Sequence, residues 1–389
     1  MAITLSRLFA NSEKNYNIKL IAGQSGMKSL VRWVHMVEDS EVPGFLHGNE
    51  LILTTGIAHT GTDWIVDFVK SLLNHGAIGL VLNVGPYIKN VPRYVVNYCD
   101  ENEFPLFIVP WEIHLIDVTY DFCHRIIANE ENETSIAAAF RNLIFSPENK
   151  DAYAGTLDRR GFHNYVEYSL LLLQAGNNGS VISGEDWQSI RFELESIMTS
   201  AEKPICIFNQ ENYLVIAGSG INSTQMENHA VIVSQELSVR FEAVQFYIGI
   251  SDTIIGYGGM QACYKQAVTA SNTARLLEKT ILKYQDTGIY KLIFAVEDAG
   301  ILKRYLNDTI NKIMNYDASH STDYLNTLKC YLENNGSIQK VSAQMNVHRN
   351  TVNYKMKMIR EYLGIKLDYD EIARLWLAFN IKEILENNL

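Results

Sequence analysis

The chain has 389 residues, of which 47% are hydrophobic and 20% charged, and its formal net charge is −11. That length accommodates two or three domains, each able to bury its own core, and the composition is that of a soluble globular protein. No apolar run approaches the ~18 residues of a membrane span. The opening Met-Ala-Ile-Thr-Leu-Ser-Arg-Leu-Phe is too short and too polar for a signal peptide. Cys99, Cys123, Cys206, Cys263 and Cys330 are scattered and show neither metal-ligand nor disulfide spacing, so reduced thiols in a cytoplasm are expected, with no metal and no cofactor.

Residues 1–128 alternate strand and helix patterns. Ile18–Ala22, Leu30–Val37 and Glu50–Thr55 read as strands. Asp63–His75 reads as a helix with Trp64, Ile65, Phe68, Val69, Leu72 and Leu73 on one face. Ala77–Val84 and Pro105–Val109 are continuous apolar strands, and Pro92–Asn102 is a helix opened by its proline. Such runs predict an α/β domain with a largely parallel sheet, whose ligand sites fall in loops at the carboxyl ends of strands. Gly23-Gln-Ser-Gly-Met-Lys-Ser29 imitates a phosphate loop, but Met27 separates Gly26 from Lys28 and a strand follows, not a helix.

The phrases Gly-Asn-Glu-Leu-Ile-Leu-Thr-Thr-Gly (48–56) and Glu-Phe-Pro-Leu-Phe-Ile-Val-Pro (103–110) resemble the N-terminal domain of the PucR family of bacterial transcription regulators. The resemblance covers most of residues 1–128 and implies a sensor of a small metabolite, such as a purine catabolite or an amino acid. The candidate effector contacts are Glu50, Thr54, Thr55, Gly56, Gly85, Trp111 and Glu112. Hydroxyls, a bare glycine backbone, an aromatic plane and carboxylates suit a small polar effector. The plainer reading leaves Gly56 and Gly85 as turns and Glu50 as a cap or ion-pair partner.

Residues 129–160 begin with acidic Asn129-Glu-Glu-Asn-Glu-Thr-Ser and lead into a linker helix. Its stripe of Ile136, Ala139, Phe140, Leu143 and Ile144 either pairs two copies or packs on its own chain. Residues 161–297 read strand (Val166–Ala175), helix (Glu185–Ser200), hairpin (Ile205–Phe208 and Tyr213–Ala217), helix (Gln225–Ala243), strand (Phe246–Ser251) and helix (Tyr264–Lys279). This α+β order, with Phe-Tyr-Ile-Gly-Ile-Ser (246–251), resembles the degenerate GGDEF-like domain (ferredoxin-like, cyclase-like) of PucR-type and sugar-diacid regulators. A working cyclase needs glycines that close on the nucleotide and carboxylates that hold metal. Here the hairpin is Asn209-Gln-Glu-Asn212, and the first strand ends in Gln174 and Ala175 with no Asp, so no catalytic residue is assigned.

Residues 298–389 form an all-α domain. Asp298–Asn315 and Ser321–Asn334 read as helices, the latter capped by Ser321 or Thr322. A short helix over Ile338–Met345 turns at Asn346 into a second helix from Arg349, with Val352, Met356, Ile359 and Leu363 on one stripe and Gly364 as its stop. Tyr369–Leu385 is a last helix, with Trp376 expected to pack in the core. The second helix of the pair carries the polar set His348, Arg349, Asn350, Thr351, Asn353, Tyr354, Lys355 and Lys357, groups that meet phosphates and base edges. From Gly336 to Lys366 four Lys and two Arg face one Glu, a local +5 that leaves −16 for the rest. Taken alone, this is also an amphipathic helix pair with a solvated basic face. Val347-His-Arg-Asn-Thr-Val-Asn-Tyr-Lys-Met356 resembles the PucR-type C-terminal helix-turn-helix, with Lys355 and Met356 where arginine and leucine are usual.

The expectation is a cytoplasmic, homo-oligomeric regulator, not an enzyme, binding a double-stranded DNA operator through residues 298–389 and a small-molecule effector through residues 1–128. It would act as an activator of a catabolic operon. The alternatives are a nucleotide-binding or cyclase-type signalling protein with a helical accessory domain, and a ligand sensor that binds another protein. GTP turnover with Mg²⁺ or Mn²⁺ distinguishes the first, and the Arg349→Ala and Lys355→Ala changes the second.

Overall fold

The computed structural model describes residues 3–39, 42–176, 184–198, 203–361 and 364–387. They form two compact units: Met1–Leu171, Ala175–Phe246 and Thr253–Cys263 in the first, and Leu172–Gln174, Tyr247–Asp252 and Tyr264–Leu389 in the second. Among the described residues no helix is long and apolar enough to cross a membrane.

The first unit opens with a five-stranded sheet. Its strands are β1 (Lys19–Ala22), β2 (Trp33–Met36), β3 (Glu50–Thr54), β4 (Gly79–Val84) and β5 (Leu106–Pro110), in the order β1-β5-β4-β3-β2. Strands β2 to β5 run parallel, and β1 is antiparallel to β5. Leu51, Ile52 and Leu53 are wholly buried, as a strand covered on both faces requires. Helices α1 (Trp64–Asn74) and α2 (Arg93–Glu101) cover one face, where Ile52, Leu80 and Leu82 meet Phe68, Leu72, Val95 and Cys99. Burial pushes the Cys99 thiol up to about 12. The other face packs Leu51, Leu53, Val81 and Phe107 against Leu115, Val118, Phe122 and Ile126.

The expected strand Leu30–Val37 is split. Leu30–Val31 pairs with Ile3–Thr4, and β2 joins the main sheet after Arg32, whose N–H donates to the Asn49 carbonyl. The phosphate-loop look-alike is a 3-10 turn over Gln24–Lys28. The Gly23 N–H donates to the Asp100 carboxylate at 2.7 Å, so that amide is not offered to an anion.

Helix α3 spans Leu115–Phe145, 31 residues. It passes through the polar stretch 129–135 that the sequence suggested as the start of a linker. Nothing in it is Pro or Gly, so intrahelical hydrogen bonds continue across the polar turn. The stripe of Ile136, Ala139, Phe140, Leu143 and Ile144 is buried on its own chain, which settles that alternative against a dimer contact. Phe140 meets Phe162 edge-on at 5.0 Å and stacks on Phe208 at 6.1 Å.

A second sheet follows, of β6 (Glu167–Gly176), β7 (Ile205–Gln210), β8 (Tyr213–Ser219), β9 (Gln245–Ile250) and β10 (Ile281–Lys283), ordered β10-β9-β6-β8-β7. Ile254–Ile255 also pairs with β6. Its helices are α4 (Gly184–Met198), α5 (Ser223–Arg240) and α6 (Met260–Leu276). An Asn222–Gln225 capping box starts α5. The hairpin β7–β8 turns at Glu211, which adopts a left-handed φ of 52°. A Cβ on Gly249 would lie 2.2 Å from the Ala267 carbonyl oxygen, so glycine there lets β9 and α6 approach closely.

The second unit ends in helices α7 (Ala299–His320), α8 (Tyr324–Glu333), α9 (Ile338–Gln344), α10 (Arg349–Glu361) and α11 (Tyr369–Glu386). Ile310, Ile313, Leu328, Val341, Val352, Met356, Ile359, Leu375 and Phe379 build one core. Two expectations are corrected. Neither Ser321 nor Thr322 caps α8. Ser321 ends α7 in a left-handed turn, and the Asp317 carboxylate accepts the Tyr324 and Leu325 N–H groups at 2.9 Å each, with the Thr322 hydroxyl at 2.5 Å. Trp376 is 38% exposed and lies outside that core, whose α11 side is filled by Leu375, Ala378, Phe379 and Ile381. Leu363 lies outside the described residues.

Candidate functional site

Helices α9 and α10 form the expected pair. Ser337 caps α9 by accepting the Lys340 N–H. The chain reverses at Asn346, which takes a φ of 53° that asparagine tolerates well. His348 then opens α10: its carbonyl accepts the Thr351 N–H at 2.9 Å, and its ring Nδ1 accepts the Asn350 N–H at 3.2 Å. The side chain put forward as a DNA contact is therefore also a helix cap.

Val352, Met356 and Ile359 bury one face of α10. The opposite face exposes Arg349, Asn350, Asn353, Tyr354 and Lys357, spaced so that 349, 353 and 357 share one ridge and 350 and 354 the next. Thr351 is exposed on the flank. Lys355 differs from the rest. Its ammonium is ion-paired to Asp323 and its side chain keeps 14% of its surface exposed. Lys357 lies 3.8 Å from Glu361. Arg360 donates to the Tyr331 hydroxyl at 3.1 Å and sits over that ring, tying α10 to α8.

The effector candidates separate into three places. Thr54, Thr55 and Gly56 meet at the carboxyl end of β3, gathered by Glu38, a residue the sequence reading missed. Its carboxylate accepts the Thr54 hydroxyl at 3.0 Å, the Thr55 hydroxyl and N–H at 2.9 Å each, and the Gly56 N–H at 3.0 Å. Gly85 and Trp111 pack on each other at the ends of β4 and β5, where a Cβ on Gly85 would stand 2.5 Å from Trp111 Cβ. Tyr87 completes this corner, 5.7 Å from the Trp111 ring, and Glu112 is exposed beside it. Glu50 sits at the opposite, amino end of β3, where one oxygen accepts the His47 N–H and the other is buried with no hydrogen-bond partner among the described residues. Parallel strands β2 to β5 follow one another in sheet order, with no reversal to open a crevice.

Among the described residues a cavity of about 380 Å³ lies elsewhere in the first unit, between the start of β2, the middle of α3 and helix α4.

In the middle segment, Gln174 is buried near the end of β6. Its amide donates to the Ser271 hydroxyl at 3.0 Å and the Asn272 side chain at 3.2 Å.

Residues 8–126 match the Purine catabolism regulatory protein-like (PucR) family, and residues 324–381 match the PucR C-terminal helix-turn-helix domain. Three curated proteins of Bacillus subtilis (strain 168) are similar. The proline-responsive transcriptional activator PutR is 24% identical over 54% of this chain and 52% of its own length. The purine catabolism regulatory protein is 27% identical over 33% of this chain and 25% of its own. The DNA-binding transcriptional activator AdeR is 22% identical over 62% of this chain and 58% of its own. The matches thus span from a quarter to somewhat over half of those relatives. A solved structure, the regulator of polyketide synthase expression from Bifidobacterium adolescentis, aligns at a TM-score of 0.32 and 15% identity over 65% of this chain and 94% of its own, too distant to inform the fold. The chain carries a PucR-family N-terminal domain and a PucR-type C-terminal helix-turn-helix.

Proposed function

We propose that the chain is an effector-responsive, DNA-binding transcription regulator, an activator of catabolic genes working in the cytoplasm. The observation that carries this is the exposed polar and basic face of α10 behind a turn of helix-turn-helix form. Arg349, Asn350, Asn353, Tyr354 and Lys357 face the DNA, with Thr351 on the flank and His348 holding the helix start. The similar PutR and AdeR are both transcriptional activators, which supports the sign of regulation.

The middle segment is read as a non-catalytic, GGDEF-like relay. Its first four strands lie in the order 4-1-3-2, that of ferredoxin-like βαββαβ folds, which supports the reading. Neutral Gln174 and the Glu211–Asn212 turn replace the carboxylates and glycines that a cyclase would use. Two copies pair through the amino half of α3, where Ile116, Tyr120 and Ile127 are exposed along one side of the helix. Sedimentation of Tyr120→Asp as a dimer indistinguishable from wild type would remove that surface from the proposal.

The test of the regulator reading is selection of DNA fragments from a genomic library by the full chain, followed by anisotropy titration of the winner. Arg349→Ala should weaken binding and flatten its salt dependence by about one unit of slope. Failure of the wild-type chain to retain any fragment above a random one would reject the reading.

A further inference from the structure

The charged side chains that line the cavity between β2, α3 and α4 are Arg32, Glu130, Arg191 and Glu195. Three of them are engaged. Arg191 pairs with Glu195 at 2.9 Å and donates to the Ile207 carbonyl at 3.1 Å and to Asn209 at 3.4 Å. Glu130 has interactions of its own. Arg32 is the exception. Among the described residues no carboxylate pairs with its guanidinium and no acceptor takes a hydrogen bond from it; the group lies over the Phe192 ring, 5.6 Å from the ring centre. The donors of a guanidinium lie in its plane, so contact with an aromatic face uses none of them. Trp33, the next residue, is 47% exposed, and with Ile126 and Phe192 it gives the same cleft apolar walls.

One uncommitted guanidinium beside apolar walls recognises one oxyanion on an apolar body. A carboxylate meets the planar fork with two parallel hydrogen bonds. A phosphate dianion calls for a second cation, and Arg191 is already held by Glu195. A second acid group on the ligand would likewise find no open cation in the cleft. A neutral purine would leave Arg32 as unpaired as before. We propose that this cleft is the effector site and that it binds a small organic acid with a single carboxylate. That carboxylate pairs with Arg32, and the apolar body lies against Trp33, Ile126 and Phe192. The volume of about 380 Å³ suits a ligand of this size. Arg32 and Trp33 belong to the sheet domain and Phe192 to α4 of the middle segment, so a bound acid fastens one to the other. A ligand that favours one arrangement of those walls biases the chain toward it.

This assignment rests on the effector-responsive reading above, and the two are tested separately. The full chain is titrated calorimetrically with benzoate, 3-phenylpropanoate and 4-methylpentanoate, with phenylalanine and leucine, which add an amino group to the last two skeletons, and with the amide of each. Succinate, inorganic phosphate and hypoxanthine complete the set. At least one monocarboxylate should bind, and its amide should bind at least about tenfold more weakly, as the loss of a charged hydrogen bond predicts. In Arg32→Gln the acid should fall to the level of its amide. Phe192→Leu should weaken the acid as well, and thermal melting of each unliganded variant checks its fold. An amino acid that binds through Arg32 while its deaminated counterpart does not supports the carboxylate contact and names amino acids as its source; the reverse names simple acids. Binding by no monocarboxylate, binding of succinate, phosphate or hypoxanthine alone, or a folded Arg32→Gln that still prefers the acid to its amide overturns the site. Retention of genomic DNA by the unliganded wild-type chain is measured in parallel. A chain that retains DNA but binds no monocarboxylate loses this site and keeps the regulator reading. One that binds an acid through Arg32 but retains no DNA keeps the site and loses the reading.

Discussion

Lys355 of the recognition helix is held by Asp323, the residue that immediately precedes α8, and is the least exposed of the basic groups on α10 for which an ion pair is seen. Its charge is spent inside the protein. Arg349, in contrast, is exposed at the open end of the same helix. The two should therefore behave differently. Arg349→Ala is expected to reduce DNA affinity with little change in melting temperature. Lys355→Ala is expected to cost about 0–1 kcal/mol of stability, the range for a pair whose acidic partner is half exposed, and to leave the salt dependence of DNA binding nearly intact. Paired anisotropy and melting curves decide between this and equal roles.

Asp317 caps α8 from the preceding helix, satisfying two backbone donors and one hydroxyl. Asp317→Ala leaves those amides without their acceptor and should destabilise the helical domain by about 1–2 kcal/mol. Ser321→Ala, at the position that the sequence alone suggested as a cap, should cost less. Urea unfolding followed by helical circular dichroism ranks the two.

Glu38 closes the ends of β2 and β3. Glu38→Ala strips acceptors from Thr54, Thr55 and Gly56 and should cost about 1–3 kcal/mol. Urea unfolding of the full chain measures the loss, and a variant of wild-type stability would show that water replaces these hydrogen bonds without penalty.

Glu133 on α3 has its pKa raised from the usual 4.5, chiefly by burial and then by Glu195, against opposing pulls from Arg7 and Arg160. The folded state therefore holds this proton more tightly than the unfolded chain. Its contribution to stability is complete below 4.5 and is lost as pH rises through the raised value. Glu133→Gln should then melt higher than wild type at neutral pH, and the difference should vanish in acid. Melting curves across that window test it; a constant offset at every pH would point to packing instead.

Much of this was legible from residue pattern alone. Continuous apolar runs such as Leu51–Leu53 foretold a strand buried on both faces, and the spacing of Val352, Met356 and Ile359 foretold the buried side of α10. What escaped depends on partners remote in sequence. Glu38 acquires its role only through the parallel register that sets Met36 against Leu53. Asp317 reaches past a tight turn to the next helix. The cleft takes walls from stretches near residues 32, 130 and 190, and no local motif marks such a convergence. The polar turn at 129–135 looked like a break because polarity is easier to see than the absence of a helix breaker.

Phe122 and Phe140 are both fully buried on α3, each in a different apolar cluster. They stand 18 positions apart, which at about 3.6 residues per turn is five whole turns, so both project at the same azimuth about 27 Å apart along one axis. The helix is thus a keyed shaft. An insertion of one residue between them would set the two keys about 100° out of phase.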